Sequence, residues 1–135
     1  MKRLIIILCL TISLAFGYFG AGLGDGFKFN FSLFNYYSLK NAYKFYDDGD
    51  YKAALKEFLH FAGNDNSDAQ YNVGVMYGFG MGTSIDHKMA AKWYRLAADQ
   101  GHSDAQAQLA HLYYNGQGVP QNYQEAVKWM TLAAE

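Results

Sequence analysis

The sequence predicts an all-α solenoid, a stack of about three antiparallel helix pairs. Two segments, 67–102 and 103–135, match each other at a constant offset of 36 residues. A weaker third copy precedes them at 38–66, and helix-starting and helix-ending residues recur in register. Because self-similarity with a period of about 20 to 50 residues marks a repeat architecture, six helices are expected. Their predicted bounds are 38–47, 51–62, 69–78, 87–99, 105–115 and 123–134.

The second and third copies match residue by residue. The segment Ser-Asp-Ala-Gln at 67–70 recurs at 103–106. Further matched pairs are Tyr77 and Tyr113, Gly80 and Gly116, Gly82 and Gly118, Ala90 and Ala126, Trp93 and Trp129, and Leu96 and Leu132. The second half of the first copy keeps the spacing of 36, whereas its first half matches at 32. The turn inside the first copy is therefore predicted to be four residues shorter than the other two.

Capping residues mark the ends of the predicted helices. Ser67 and Ser103 are the predicted N-caps of two first helices, each followed three residues later by a Gln in the spacing of a capping box. The predicted N-caps of the second helices are Asp50, Asp86 and Asn122. Gly80 and Gly116 are expected to end first helices, and Gly101 to end the second helix of the middle copy. The side chains expected to provide bulk between helices are Trp93, Tyr94, Leu96, Trp129 and Leu132.

The N-terminal segment has a different composition. Lys2 and Arg3 precede an uncharged apolar run, and Ala15 and Gly17 occupy the positions that a signal peptidase reads. Residues 1–17 are therefore predicted to be a signal peptide, and the protein to be exported to the periplasm or secreted. An uncleaved membrane anchor over residues 4–23 is the alternative, since the uncharged run is long enough to span a bilayer.

The predicted domains after the signal are a Gly- and Phe-rich linker at 18–37 and the solenoid at 38–135. Alternation of apolar and polar residues around Phe27 to Leu33 reads as extended chain. Without residues 1–17, 9 basic and 12 acidic residues remain, a net charge of −3. This charge disfavours nucleic acid as a partner. The only cysteine, Cys9, lies within the predicted signal, so cysteine-based zinc sites are excluded from the solenoid.

The repeat resembles the Sel1-like repeat, a relative of the tetratricopeptide repeat. The residues that carry the resemblance are Ala69, Gln70, Gly74, Met76, Tyr77, Gly80, Gly82, Asp86, Ala90, Trp93, Tyr94, Ala97, Ala98 and Gly101. The resemblance implies a right-handed superhelical solenoid used as an adaptor for protein–protein interaction. Some exported members carry a disulfide in each repeat and are linked to β-lactam binding or hydrolysis. The solenoid of this chain lacks those cysteines.

Alignment to the tetratricopeptide pattern places one set of side chains on the concave face made by the first helices. The predicted protein-binding residues are Tyr43, Tyr46, Tyr71, Val75, Phe79, His111 and Tyr114. Aromatic side chains dominate binding hot spots, which favours a protein or peptide partner. A second feature is a ladder of lysines on the second helices, Lys56, Lys92 and Lys128, which is typical of a solvated helix face and could also meet an anionic surface.

No pattern for catalysis, metal or cofactor binding accompanies the repeats. The sequence lacks Gly-x-Ser-x-Gly and Ser-x-x-Lys nucleophile patterns, and its four histidines have no metal-binding spacing. A non-enzymatic adaptor is therefore the favoured function. Two alternatives remain open: an envelope hydrolase or β-lactam-binding protein, and a structural element that associates with itself. Self-association would use the C-terminal end of the solenoid, where Trp129, Leu132 and Ala133 are expected to lack a cover.

Overall fold

The computed structural model describes residues 31–135. This part of the chain folds into six helices and contains no strand, so the all-α solenoid predicted from the repeats is confirmed. The helices are α1 (Phe31–Asp47), α2 (Tyr51–Ala62), α3 (Ser67–Phe79), α4 (His87–Asp99), α5 (Ser103–Asn115) and α6 (Tyr123–Ala134). The predicted signal or anchor, and linker residues 18–30, lie outside the described residues.

Five of the six helices agree with their predicted bounds to within two residues at each end. The exception is α1, which begins at Phe31 rather than near residue 38 and therefore includes residues 31–37 of the predicted linker. No glycine or proline occurs between residues 27 and 48. With no helix-breaking residue in that segment, the helix continues toward the N-terminus beyond the part that the repeat defines.

Each helix packs against the helix before it and the helix after it along the chain. The connections inside the second and third pairs span residues 80–86 and 116–122, whereas the connection inside the first pair spans only 48–50. The predicted difference of four residues is confirmed. Short connections between consecutive packed helices produce the antiparallel arrangement expected of helix pairs.

Two groups of buried side chains form the core. The N-terminal cluster joins α1, α2 and α3 around Phe58, Val73 and Met76. The C-terminal cluster joins α4, α5 and α6 around Tyr94, Leu109 and Trp129. Buried alanines at matched positions, such as Ala54 and Ala90 in the second helices, let the helices approach closely. Tyr77 packs against both clusters, so the core continues from repeat to repeat, as in a solenoid whose units contact only their neighbours.

The predicted large core side chains separate into two groups. Tyr94 and Trp129 are buried, and Trp93 is half-buried against the N-terminal cluster, between neighbouring repeats as expected. Leu96 and Leu132 are exposed, so their assignment to the core was wrong. Leu96 lies two positions after the buried Tyr94, about 200° further around α4, which places it on the side opposite the core. Leu132 occupies the equivalent position of α6.

The N-caps of α3 and α5 lie one residue earlier than predicted. The capping side chains are Asn66 and His102, while Ser67 and Ser103 are the first helical residues. The glutamines do not form capping boxes. Gln70 is buried and donates from Nε2 to the carbonyl oxygen of Ala62 at 3.1 Å, and Gln106 donates in the same way to Ala98. Each glutamine therefore bonds the end of one helix pair to the start of the next.

His102 is an unusual cap because it replaces the asparagine of the preceding repeat. Its Nδ1 accepts a hydrogen bond from the Ala105 amide at 3.3 Å, which requires the ring proton to be on Nε2. That Nε2 lies 3.4 Å from Oδ1 of Asp68, and the ring stacks on Tyr71 with centroids 4.8 Å apart. One ring thus caps α5 and contacts α3, the first helix of the preceding pair.

His102→Ala should lower the free energy of unfolding by about 1 kcal/mol, the usual cost of a lost N-cap. His102→Asn should stay within a few tenths of a kcal/mol of the wild type, because Asn66 performs this role one repeat earlier. Urea titration of the two variants checks the prediction. Equal losses in both would show that stacking on Tyr71, rather than capping, is the contribution that matters.

Candidate protein-interaction surface

The seven predicted binding residues all lie on the first helices of the pairs, α1, α3 and α5. Repeat register groups most of them into rows that cross the solenoid. Tyr43, Val75 and His111 share one position, and Tyr46 and Tyr114 share another, with Gly78 between them. The rows therefore run from repeat to repeat over three parallel helices, an arrangement that can contact an extended partner.

Three of the seven are largely free to contact another molecule. The exposed fractions of Phe79 and Tyr114 are 66% and 59%, and His111 is exposed as well. His111 lies 3.0 Å from the amide nitrogen of Asn115, one turn further along α5. Single exposed apolar residues are ordinary, but two large aromatic rings at the ends of neighbouring first helices are a candidate binding surface.

The two tyrosines of α1 have structural contacts as well. Tyr43 packs edge-on against Phe58, with centroids 5.1 Å apart, and its hydroxyl oxygen accepts a hydrogen bond from Asn72 at 2.9 Å. Burial raises the pKa of this phenol, so it stays neutral at ordinary pH. The Tyr46 hydroxyl donates to the sulfur of Met81 at 3.4 Å. Both side chains therefore link the first helix pair to the second.

Tyr71 and Val75 are partly buried against the C-terminal cluster. The Tyr71 ring lies between His102 and Tyr94, with its centroid 5.9 Å from that of Tyr94. A change at either residue would disturb the junction of two repeats as well as any bound partner. Of the predicted set, Phe79, His111 and Tyr114 are consequently the residues whose substitution tests binding with the least effect on the stability of the fold.

Sequence reasoning missed the aromatic side chains that begin the second helices. Tyr51 packs edge-on against Tyr46 at 5.4 Å, and Tyr123 packs in the same way against Tyr114 at 5.3 Å. Tyr51 and Tyr123 are 72 residues apart, which is two repeat lengths. The repeat period could therefore have predicted that they occupy equivalent positions. Between these two pairs, the middle repeat exposes Phe79 and Ile85 at its turn. We call these six residues together with His111 the aromatic edge.

The second helices also carry exposed basic side chains. Lys56, Lys92 and Lys128 are exposed at equivalent positions, and the Lys128 ammonium lies 3.7 Å from the carboxylate of Glu125.

Within residues 31–135, no three His, Cys, Asp or Glu side chains converge in a way that could hold a metal ion. In the same part of the chain, no helix is long and apolar enough to cross a membrane.

The stacked helix pairs define a helical-repeat protein, and comparison with known proteins gives its family. A family model described as Sel1 repeat matches residues 67–102 and 103–135, about half of the chain. The chain belongs to the Sel1 repeat family. Sel1 repeats generally serve as non-catalytic modules for protein–protein interaction. No curated protein matches the chain at a significant level.

Solved structures with similar folds include three bacterial repeat proteins. A Sel1 repeat protein from Oxalobacter formigenes is 32% identical, with a TM-score of 0.68 over 71% of this chain and 40% of its own length. The protective antigen c5321 of uropathogenic Escherichia coli is 37% identical, with a TM-score of 0.62 over 62% of this chain and 18% of its own. Cysteine-rich protein B of Helicobacter pylori is 23% identical and shares the fold, with a TM-score of 0.59 over 61% of this chain and 62% of its own length. This chain thus spans less than two thirds of the length of each of the three proteins.

Proposed function

We propose that this protein is an interaction scaffold that binds a protein or peptide along the aromatic edge and the adjoining faces of α1, α3 and α5. The exposure of Phe79 and Tyr114 on neighbouring first helices carries the proposal. Large rings with few rotatable bonds provide contact area at a low cost in conformational entropy. Both rings lie outside the solenoid core.

The chemistry of the surface favours a partner with mixed apolar and polar side chains. Tyrosine hydroxyls at Tyr51, Tyr114 and Tyr123 can exchange hydrogen bonds with a peptide backbone, while the rings pack against apolar side chains. Neither α3 nor α5 carries a lysine or an arginine, and most of the exposed lysines lie on the second helices. Lys40 and Lys44 on α1 are the exceptions. A phosphate-rich ligand therefore lacks complementary charge on the α3 and α5 faces of the proposed surface.

Site-specific photo-crosslinking tests the proposal directly. A benzophenone amino acid at position 79 or 114 should crosslink the same partner in cells that express the protein, because both positions face solvent. The same amino acid at position 56 or 92, on the lysine ladder, is the matched control and should give no comparable product. Crosslinks confined to the lysine positions would refute the proposed surface and favour an anionic partner on the second helices.

Once the partner is isolated, Phe79→Ala and Tyr114→Ala should each weaken its binding by about 1–2 kcal/mol, or about five- to thirty-fold. Phe79 lies outside the core, and Tyr114 packs only on the exposed ring of Tyr123, so both variants should unfold close to the wild-type temperature. Lys56→Glu and Lys92→Glu should leave the affinity nearly unchanged. Isothermal titration of the four variants provides the measurement, and full affinity in the two aromatic variants would contradict the proposal.

We also propose that the protein works outside the cytoplasm. The support is the N-terminal sequence, in which two basic residues precede an uncharged apolar run that ends in Ala15-Phe16-Gly17. Intact-mass measurement of protein from the exported fraction should give a chain that begins at Tyr18. A mass that retains residues 1–17, found in the membrane fraction, would support the anchor over residues 4–23 instead.

A further inference from the structure

The junction between the second and third helix pairs contains a cation that the preceding junction does not have. Three positions correspond between the two junctions at the repeat offset of 36 residues. They are Leu59, Tyr77 and Trp93 in the preceding junction, and Arg95, Tyr113 and Trp129 in this one. Leu59 packs against the N-terminal cluster at the position where Arg95 stands one repeat later. Packing of the repeats therefore does not require a charge at this position.

Neighbouring side chains hold the guanidinium group of Arg95 in place. Its Nη2 donates a hydrogen bond to the hydroxyl oxygen of Tyr113 on α5. Its Cζ lies 5.6 Å from the ring centroid of Tyr113 and 5.6 Å from that of Trp129 on α6. Both distances are within the range of cation–π attraction. The group is therefore oriented by contacts from two further helices before any ligand arrives.

Arg95 has no acidic partner among residues 39–135. Asp99 lies one turn further along α4, at a spacing that allows an acidic side chain to pair with an arginine, yet no ion pair joins the two within this part of the chain. A guanidinium group has five N–H donors, and one of them bonds to Tyr113. Because the side chain is only partly buried, its remaining donors can reach an oxyanion from solution.

A second cation lies beside the same indole ring. The Lys128 ammonium is 5.5 Å from the ring centroid of Trp129, and its charge is partly balanced by Glu125 at 3.7 Å. In the preceding junction, Leu59 is partly exposed and Lys92 is exposed although α5 and α6 follow them in the chain. This side of the solenoid is therefore not the side on which the next helix packs.

From these observations we infer that Arg95, with Tyr113 and Lys128 beside it, is a binding site for a carboxylate group presented by an acidic peptide segment. The two oxygens of a carboxylate match two parallel N–H donors of a guanidinium group, and this paired contact is among the stronger hydrogen-bonded interactions. The Tyr113 hydroxyl oxygen accepts from Arg95, so its own proton is free to be donated to the ligand. Because the rings already orient the guanidinium group, little conformational freedom is lost on binding.

The charges around the site favour an acidic peptide over a membrane surface. A surface that binds anionic lipid carries a cluster of basic residues. Along the second helices the lysine ladder is instead interrupted by acidic side chains, among them Glu57, Asp99 and Glu125. The inference does not depend on the aromatic edge, because the two sites share no residue.

A blocked peptide with the sequence Gly-Glu-Glu-Gly is the probe. It is titrated into the isotopically labelled full chain, and the nuclear magnetic resonance signals of the Arg95 Nε–H and the Trp129 indole N–H are followed. Both should shift saturably, with a dissociation constant below about 5 mM, and the affinity should fall as salt is added. The same peptide with glutamine in place of glutamate should cause no saturable shift.

Three variants locate the site, and the indole signal of Trp129 measures binding in each. Arg95→Leu introduces the residue of the preceding repeat, so it should keep the wild-type circular dichroism spectrum while weakening binding at least about tenfold. Arg95→Lys keeps the charge but not the paired donors, and should weaken binding by about three- to tenfold. Lys56→Gln is the matched control, because it removes an exposed cation from the ladder in the first helix pair. It should bind within about twofold of the wild type.

Five results would overturn the inference. One is the absence of saturation in the wild type at about 5 mM peptide. A second is full binding by Arg95→Leu or Arg95→Lys, and a third is an equal loss in Arg95→Leu and Lys56→Gln, which would show a response to overall charge. A fourth is tighter binding of inorganic phosphate than of the glutamate peptide. The fifth is binding of phosphatidylglycerol vesicles, without binding of the peptide, that Arg95→Leu leaves unchanged.

Phe79→Ala separates this site from the aromatic edge. Retained binding of the glutamate peptide in Phe79→Ala, together with its loss in Arg95→Leu, is the supporting result. Loss of peptide binding in Phe79→Ala would place the peptide on the aromatic edge and contradict the assignment to Arg95.

Discussion

Tyr94→Ala should lower the free energy of unfolding by about 3–5 kcal/mol, the usual cost of removing a buried aromatic side chain. Only 3% of Tyr94 is exposed. Its ring fills the space over Gly74 so closely that a Cβ there would lie 2.6 Å from the ring. The ring also contacts Tyr71, which stacks on His102 at the next junction. The loss would therefore weaken the contacts of α4 with both neighbouring helices.

Tyr94→Phe is the control for this effect. Burial raises the pKa of the Tyr94 phenol, so the hydroxyl is neutral in the folded protein and removing it deletes no charge. The phenylalanine variant should stay within about 1 kcal/mol of the wild type. Guanidinium titration followed by circular dichroism at 222 nm gives both values. A loss of less than about 1 kcal/mol in Tyr94→Ala would show that the surrounding helices collapse into the vacated space.

The sequence predicts the fold well because the repeat constrains it at every level. The N-caps Asp50, Asp86 and Asn122 and the left-handed glycines Gly80 and Gly116 are confirmed. Each of these residues acts within its own helix, through a hydrogen bond or a backbone conformation that needs no distant partner. Local effects of this kind can be inferred from the order of residues alone.

The errors concern groups whose role depends on a neighbouring repeat. The spacing of Gln70 from Ser67 matched a local capping box, but the side chain instead bonds a carbonyl of the preceding helix. Helix α6 shows the same limit. Trp129 was expected to lack a cover, yet it is buried because it packs backward onto the preceding pair, and Leu132 is exposed. The uncovered positions are Val127, Met130 and Ala134, which only the comparison of burial between equivalent helices identifies.

The candidate binding site was predictable in part. Its location on the first helices follows from the resemblance to tetratricopeptide repeats, and the exposure of Phe79, His111 and Tyr114 is compatible with it. The structural contacts of Tyr43 and Tyr71 were not predictable. They depend on Asn72 and His102, which approach from other helices or repeats. The identity of the partner stays open, because the repeat pattern specifies packing positions and leaves the exposed positions unconstrained.

Substitution of the glycine at the turn of each complete repeat should destabilise the protein about as much as substitution of a core residue. Gly118 adopts a φ of +70°, and a Cβ on it would collide with the backbone of His87 and Lys88 at the start of α4. Gly82 makes the equivalent approach to the backbone of Tyr51 and Lys52. The turn of one repeat thus packs directly on the first turn of the second helix in the preceding repeat.

Gly118→Ala should therefore lower the free energy of unfolding by about 2–5 kcal/mol. About 1–2 kcal/mol comes from the left-handed backbone, and the rest from the collision with backbone atoms that cannot move independently. Gly101→Ala separates the two contributions, because Gly101 also has a positive φ, of +88°, but has nothing within 4 Å of the added Cβ. Gly101→Ala should lower the free energy of unfolding by only about 1–2 kcal/mol. Thermal unfolding of the two variants measures the difference, and equal losses would mean that the turn shifts away from α4 without penalty and that this contact does not hold adjacent repeats together.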